Sequence, residues 1–166
     1  MTSPPALTAA ALTATIESLS QEWLLSGQAA SLAHINQGSC IAFAKAVLSR
    51  LEETGWDTAA VFDVELANFL ELEEDMDGGV LDRALLAQHW PAVQPPPGLT
   101  WEHLEQLAEE ADWRVGTHIW LAFEGQHYDA ECPTGVANFL DLPFFSTGIR
   151  DWAMEKGLLP APRAAR

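Results

Sequence analysis

The stretch Gly116-Thr117-His118-Ile119-Trp120-Leu121-Ala122-Phe123-Glu124-Gly125-Gln126-His127-Tyr128-Asp129-Ala130 carries the strongest fold signal in the chain. Two runs of strand-type residues, Val115 to Phe123 and Gln126 to Ala130, flank Glu124-Gly125, a pair suited to a tight hairpin turn. A two-residue loop sets the register: Phe123 faces Gln126, Trp120 faces Asp129, Ile119 faces Ala130 and His118 faces Glu131. Side chains alternate between faces, so His118, Trp120, His127, Asp129 and Glu131 share one of them. Asp129 is the diagonal neighbour of His118, a relation that leaves the two backbones about 7–8 Å apart and their side chains within reach.

Upstream, Asn36-Gln37-Gly38-Ser39-Cys40-Ile41-Ala42-Phe43-Ala44 opens an apolar helical run. Its spacing predicts a helix over Ser39–Thr54 with Phe43, Val47, Leu48 and Leu51 inward, Ser39 as N-cap and Gly55 as the stop. A cysteine in the first turn would meet unsatisfied N–H groups and the positive end of the helix, which favour thiolate. Cys40 then has two readings on this segment: an activated nucleophile, or a small apolar residue packed at a helix start. The hairpin favours the first, because His118 can serve as base and then acid while Asp129 orients its ring. The Cys40 N–H with Gln37 or Asn36 would complete an oxyanion site. Trp120, His127 and Glu131 are possible substrate-side groups on the same face. Glu131 competes with Asp129 for the orienting role, and His127 otherwise faces solvent.

The rest of the chain reads as helices over Ala6–Leu25, Leu81–His89, Trp101–Ala111 and Ser146–Lys156, with a strand over Thr58–Leu66. Glu71 to Asp77 reads as an acidic loop, Pro95-Pro96-Pro97-Gly98 as an extended connection, and Asn138 to Phe145 as irregular or a short turn of helix. The expectation is one α+β domain over residues 1–166, with the nucleophile helix packed on a small antiparallel sheet and frayed tails at 1–6 and 160–166.

Composition narrows the function classes. With 48% hydrophobic residues and seven tryptophans among 166 residues, the chain can bury a real core. A net charge of −16 argues against direct binding to a nucleic-acid backbone. It is compatible with a basic peptide or protein substrate. No apolar run suits a membrane span, and two cysteines point to a reduced, cytoplasmic setting. His118, His127, Asp129, Cys132 and Cys40 include zinc-ligand residue types, but without Cys-x-x-Cys or His-Glu-x-x-His spacing they predict no metal site. No phosphate-binding or dinucleotide fingerprint occurs, so no cofactor is expected.

Gly38-Ser39-Cys40-Ile41-Ala42-Phe43 resembles the nucleophile segment Gly-Ser-Cys-Trp-Ala-Phe of papain-like peptidases. The order Cys40, His118-Ile119-Trp120, Asp129 is similar to that of transglutaminase-like proteins. His127 to Val136 resembles small phage and bacterial members of this kind. The likeness rests on these short motifs. It implies a papain-like or transglutaminase-like core and a cysteine-dependent hydrolase or acyl transferase with a Cys-His-Asp triad, acting on a peptide or side-chain amide. The chain departs from papain itself: Gln37 stands too close to Cys40 for the usual oxyanion glutamine, and the third residue is Asp rather than Asn. A rival reading keeps the papain fold without catalysis, as an acidic binding protein such as a phage- or mobile-element-encoded inhibitor of a host protein.

Overall fold

In the computed structural model of the protein the described residues are 4–65, 70–72, 79–110 and 118–160. Helix α1 (Ala9–Ser26) starts three residues later than the sequence suggests, because the Thr8 hydroxyl accepts from the Ala11 N–H and caps it. Of the expected tail at 1–6, the described end is held in place: the Pro5 carbonyl accepts from the Asp57 N–H at 3.1 Å and Ala6 bridges to Asp57, and the following Leu7 is buried. Of the expected tail at 160–166, residues 161–166 lie outside the described residues.

After the short α2 (Leu32–His34) the backbone widens into a π-helix, Ile35–Ser39, and continues into α3 (Cys40–Glu53). Strand β1 (Phe62–Glu65) is half the expected length, since Val61 N–H turns back onto the Thr58 carbonyl at 2.9 Å. β2 (Leu70–Leu72) and β3 (Gly79–Leu81) form a separate antiparallel pair, so Glu71 lies in a strand rather than in the expected acidic loop. The remainder of that loop, 73–77, lies outside the described residues. Helices α4 (Arg83–His89) and α5 (Trp101–Glu110) follow, capped by Asp82 and Thr100.

β4 (Ile119–Phe123) and β5 (Gln126–Tyr128) pair in the expected register, Leu121 opposite Tyr128, Ala122 opposite His127 and Phe123 opposite Gln126. Glu124 at φ 49° and Gly125 at φ 74° make the two-residue turn, both left-handed as the right-handed twist of a hairpin requires. β5 ends at Tyr128, so the expected pairs Trp120–Asp129, Ile119–Ala130 and His118–Glu131 do not extend the ladder. A 3₁₀ turn (Phe139–Asp141) leads into α6 (Pro143–Glu155), a turn earlier than Ser146, with Pro143 in its first turn, where no N–H is missed.

The result is an α+β fold around a three-stranded antiparallel sheet of order β1-β4-β5. The period of two splits its side chains between two cores. Leu121, Phe123 and Tyr128 pack with Phe43, Val47 and Leu51 of α3 and Leu12 and Ile16 of α1. Val64, Trp120 and Ala122 pack on the other side with Leu104 and Leu107 of α5 and Phe145 and Ile149 of α6. Within the described residues no helix is long and apolar enough to cross a membrane.

Candidate active site

Cys40 and His118 come from opposite sides of this arrangement. α3 carries Cys40 on the face it presses onto the sheet, and Cys40 is 7% exposed. His118 immediately precedes β4 and is fully buried. The two side chains lie close enough that each shifts the other's pKa. On the ring's far side Nε2 lies 3.2 Å from Asp129 Oδ2, and Nδ1 lies 3.1 Å from the Asn36 carbonyl oxygen.

Those partners dictate the protonation state. A main-chain carbonyl and an ionised carboxylate can only accept, so each ring nitrogen is satisfied only by carrying a proton. The imidazolium form is therefore the one the surroundings solvate. Burial pushes His118 toward neutrality, but Asp129 and then Cys40 outweigh it and raise its pKa. Burial likewise raises the Cys40 thiol, yet the neighbouring His118 and the N–H groups of Ile119 and Ile41 lower it overall. Both displacements favour a thiolate–imidazolium pair. The thiol's activation thus adds His118 and the Ile119 N–H to an expected first-turn donor, the Ile41 N–H. Ser39 makes no side-chain cap, and the chain reaches Cys40 from a π-helix, an element often found as a short bulge at functional sites.

Asp129 is placed by a turn rather than by a strand. Its Oδ1 accepts from the N–H groups of Glu131 and Cys132, both at 2.9 Å, leaving Oδ2 for His118. Glu131 does not take the orienting role: its Oε2 accepts from Asn36 Nδ2 at 2.9 Å. That bond holds the residue whose carbonyl faces His118, and it commits one N–H of the expected oxyanion donor. Gln37 is exposed and lines, with Ser39, Cys40, Ile41 and Lys45, an open cleft of about 490 Å³. A hollow of about 500 Å³ elsewhere, between β1 and Trp90, contains none of the triad.

Two expected substrate-side residues are core. Trp120 is 1% exposed and stacks on Phe139 at 5.2 Å. His127, read as solvent-facing, is fully buried, because Val136 bridges to its strand and Trp90 and Phe139 cover its ring. Its Nδ1 accepts from Trp120 Nε1 at 2.9 Å, so the proton sits on Nε2, which has no partner among the described residues. Burial lowers its pKa to about 4.

Sequence reasoning missed Phe144. Its ring lies 4.2 Å from that of His118, inclined by 20°, and is half-buried. Nothing in the local pattern links α6 to the triad; only the tertiary fold does. Cys132 is half-buried, its thiol raised by burial and by Asp129. Among the described residues no group of His, Cys, Asp and Glu is arranged to hold a metal ion. No family model, curated protein or solved structure matches the chain.

Proposed function

We propose that the protein is a papain-like or transglutaminase-like cysteine hydrolase or acyl transferase that acts on a peptide or side-chain amide. The observation that carries this reading is the buried chain Cys40–His118–Asp129, with thiol and imidazole displaced toward the ion pair. Cys40 Sγ attacks the amide carbon, forming the C–S bond as the C=O electrons move onto oxygen. Gln37, which lines the cleft, serves in this reading as the oxyanion donor. His118 passes its proton to the amide nitrogen, the C–N bond breaks and a thioester remains. Water, or an amine in acyl transfer, then attacks the thioester carbon while His118 takes the attacker's proton. The sulfur leaves as thiolate, restoring the pair. No step calls for a cofactor.

The rival, an idle acidic binding protein of the same fold, draws on the charge of −16 and the low exposure of Cys40. Iodoacetamide labelling across pH, with each cysteine quantified by mass spectrometry, separates the two. Cys40 is expected to react rapidly below about pH 7, to lose that advantage in His118→Ala, and to outpace Cys132 throughout. A Cys40 that reacts no faster than a free thiol, or is indifferent to His118→Ala, overturns the enzymatic reading.

A further inference from the structure

The cationic side chains among the described residues are Lys45, Arg50, Arg83, Arg150 and Lys156. All but one has an acidic partner. Arg50 pairs with Glu22 at 3.0 Å, Arg83 with Glu105 at 2.7 Å, Arg150 with Asp151 at 3.6 Å, and Lys156 with Glu110. Lys45 pairs with no carboxylate among the described residues. The helix explains why: its neighbours three and four positions away are Ala42, Leu48, Ile41 and Ser49, none of them acidic. In a chain with 24 carboxylates, this exposed ammonium lines the same cleft as Cys40.

We infer that Lys45 selects substrates bearing a carboxylate beside the scissile amide, either an acidic side chain or a free chain end. This rests on the enzymatic reading above and names the substrate class for it. It reverses the preference for basic substrates that net charge alone suggests. The overall field of the protein repels extended polyanions, whereas a local cation at the cleft mouth acts on one charge at short range. Lys45 stands five residues after Cys40, about 7.5 Å along the axis and about 140° around it, so a carboxylate one residue from the reacting carbonyl meets it across the cleft rather than along one helix face. The ligand class is therefore a small or flexible acyl donor with a single nearby negative charge.

Two reagents of nearly the same shape test this without a known substrate: iodoacetate, which carries a carboxylate, and iodoacetamide, which is neutral. The ratio of their rate constants at Cys40, measured at one pH, cancels the fraction of thiolate. At water-like screening and about 8 Å, Lys45→Met should lower the iodoacetate-to-iodoacetamide ratio about twofold, and Lys45→Glu about sixfold. Lys45→Arg should keep it, and salt of about 0.5 M should erase the differences. A ratio unchanged in Lys45→Glu, with Cys40 still fast toward iodoacetamide, overturns the role of Lys45 alone. A Cys40 slow toward both reagents in the unmodified protein overturns the enzymatic reading and this inference with it.

Discussion

Asp129→Asn is the most discriminating single change, because the two carboxylate oxygens do separate work. Oδ1 accepts two turn N–H groups at 2.9 Å each, and Oδ2 faces His118 Nε2 at 3.2 Å. Asparagine can keep the turn only by leaving its single oxygen at Oδ1. Its amide NH₂ then points at Nε2, donor toward donor. His118 escapes the clash by shedding the Nε2 proton, while Nδ1–H stays on the Asn36 carbonyl. The substitution thus locks the neutral imidazole in a pocket built for the imidazolium. Both groups are buried, so solvent screens little of the effect. A hydrogen bond to a charged group contributes about 1.5–3 kcal/mol against about 0.5–1.5 for a neutral one, so the pair loses on the order of 1–1.5 kcal/mol, or tenfold. Alkylation of Cys40 by iodoacetamide at about pH 6.5 should fall about tenfold, with the onset of reactivity moved to higher pH. His118 is a group whose folded pKa is raised, so its stabilisation is fully present below its unfolded value of about 6.5 and is lost as pH rises through the folded value. Urea titrations should therefore separate the two proteins most at acidic pH and bring them together as pH rises. An Asp129→Asn protein that alkylates at the wild-type rate near neutrality would reduce Asp129 to a turn cap and refute the reasoning.

His127 should make the protein acid-sensitive through a different route. Its folded pKa of about 4 lies below the ordinary 6.5, so the unfolded chain binds the extra proton between those values and stability falls as pH drops through them. The full displacement corresponds to on the order of 3 kcal/mol, and urea midpoints taken from about pH 7 to pH 4 should lose that amount. In His127→Phe that part of the slope should disappear, although the orphaned Trp120 N–H lowers stability at pH 7; an unchanged slope would exonerate His127. Gly135→Ala should destabilise by about 3 kcal/mol in the same titration, combining left-handed strain with overpacking. The new Cβ would stand 2.6 Å from Tyr128 Cε1 at a φ of 77°, against a ring that is 1% exposed. A loss below about 0.5 kcal/mol would mean that the turn after Cys132 yields freely.

What the sequence made legible was local. The Glu124-Gly125 loop sets the parity of the hairpin, and parity alone aligns His118 with Asp129, even though the ladder stops one residue short of Asp129. The periodicity of α3 likewise locates Cys40 on a buried face. The π-helix before Cys40 left no such trace, since Ile35–Ser39 has no composition that distinguishes it from an ordinary first turn. His127 was misplaced for a related reason. Alternation assigns it a face, but whether that face meets water depends on Trp90 and Phe139, from segments 37 residues before it and 12 after it. The roles of Glu131 and Phe144 depend in the same way on contacts between elements far apart in the chain.

The energetics of the trio bear on why it exists at all. Moving a charged imidazole and a carboxylate out of water costs several kcal/mol per ion, and well-packed apolar residues of similar size often stabilise a core as well or better. His118 sits among Phe144, Phe145 and Trp120, where such a replacement would be easy to accommodate. The surroundings instead supply an acceptor for each ring nitrogen and N–H donors for the thiol. Glu131 and Asn36 add a hydrogen bond that serves only to hold one of those acceptors. A purely structural core gains little from this expenditure, whereas a nucleophile that must be ionised near neutral pH requires it. The same reasoning makes a double replacement informative: His118→Leu with Asp129→Leu should leave the fold intact while Cys40 reverts to an ordinary buried thiol. If that double variant fails to fold, the trio is structural, and the case for catalysis loses its energetic support.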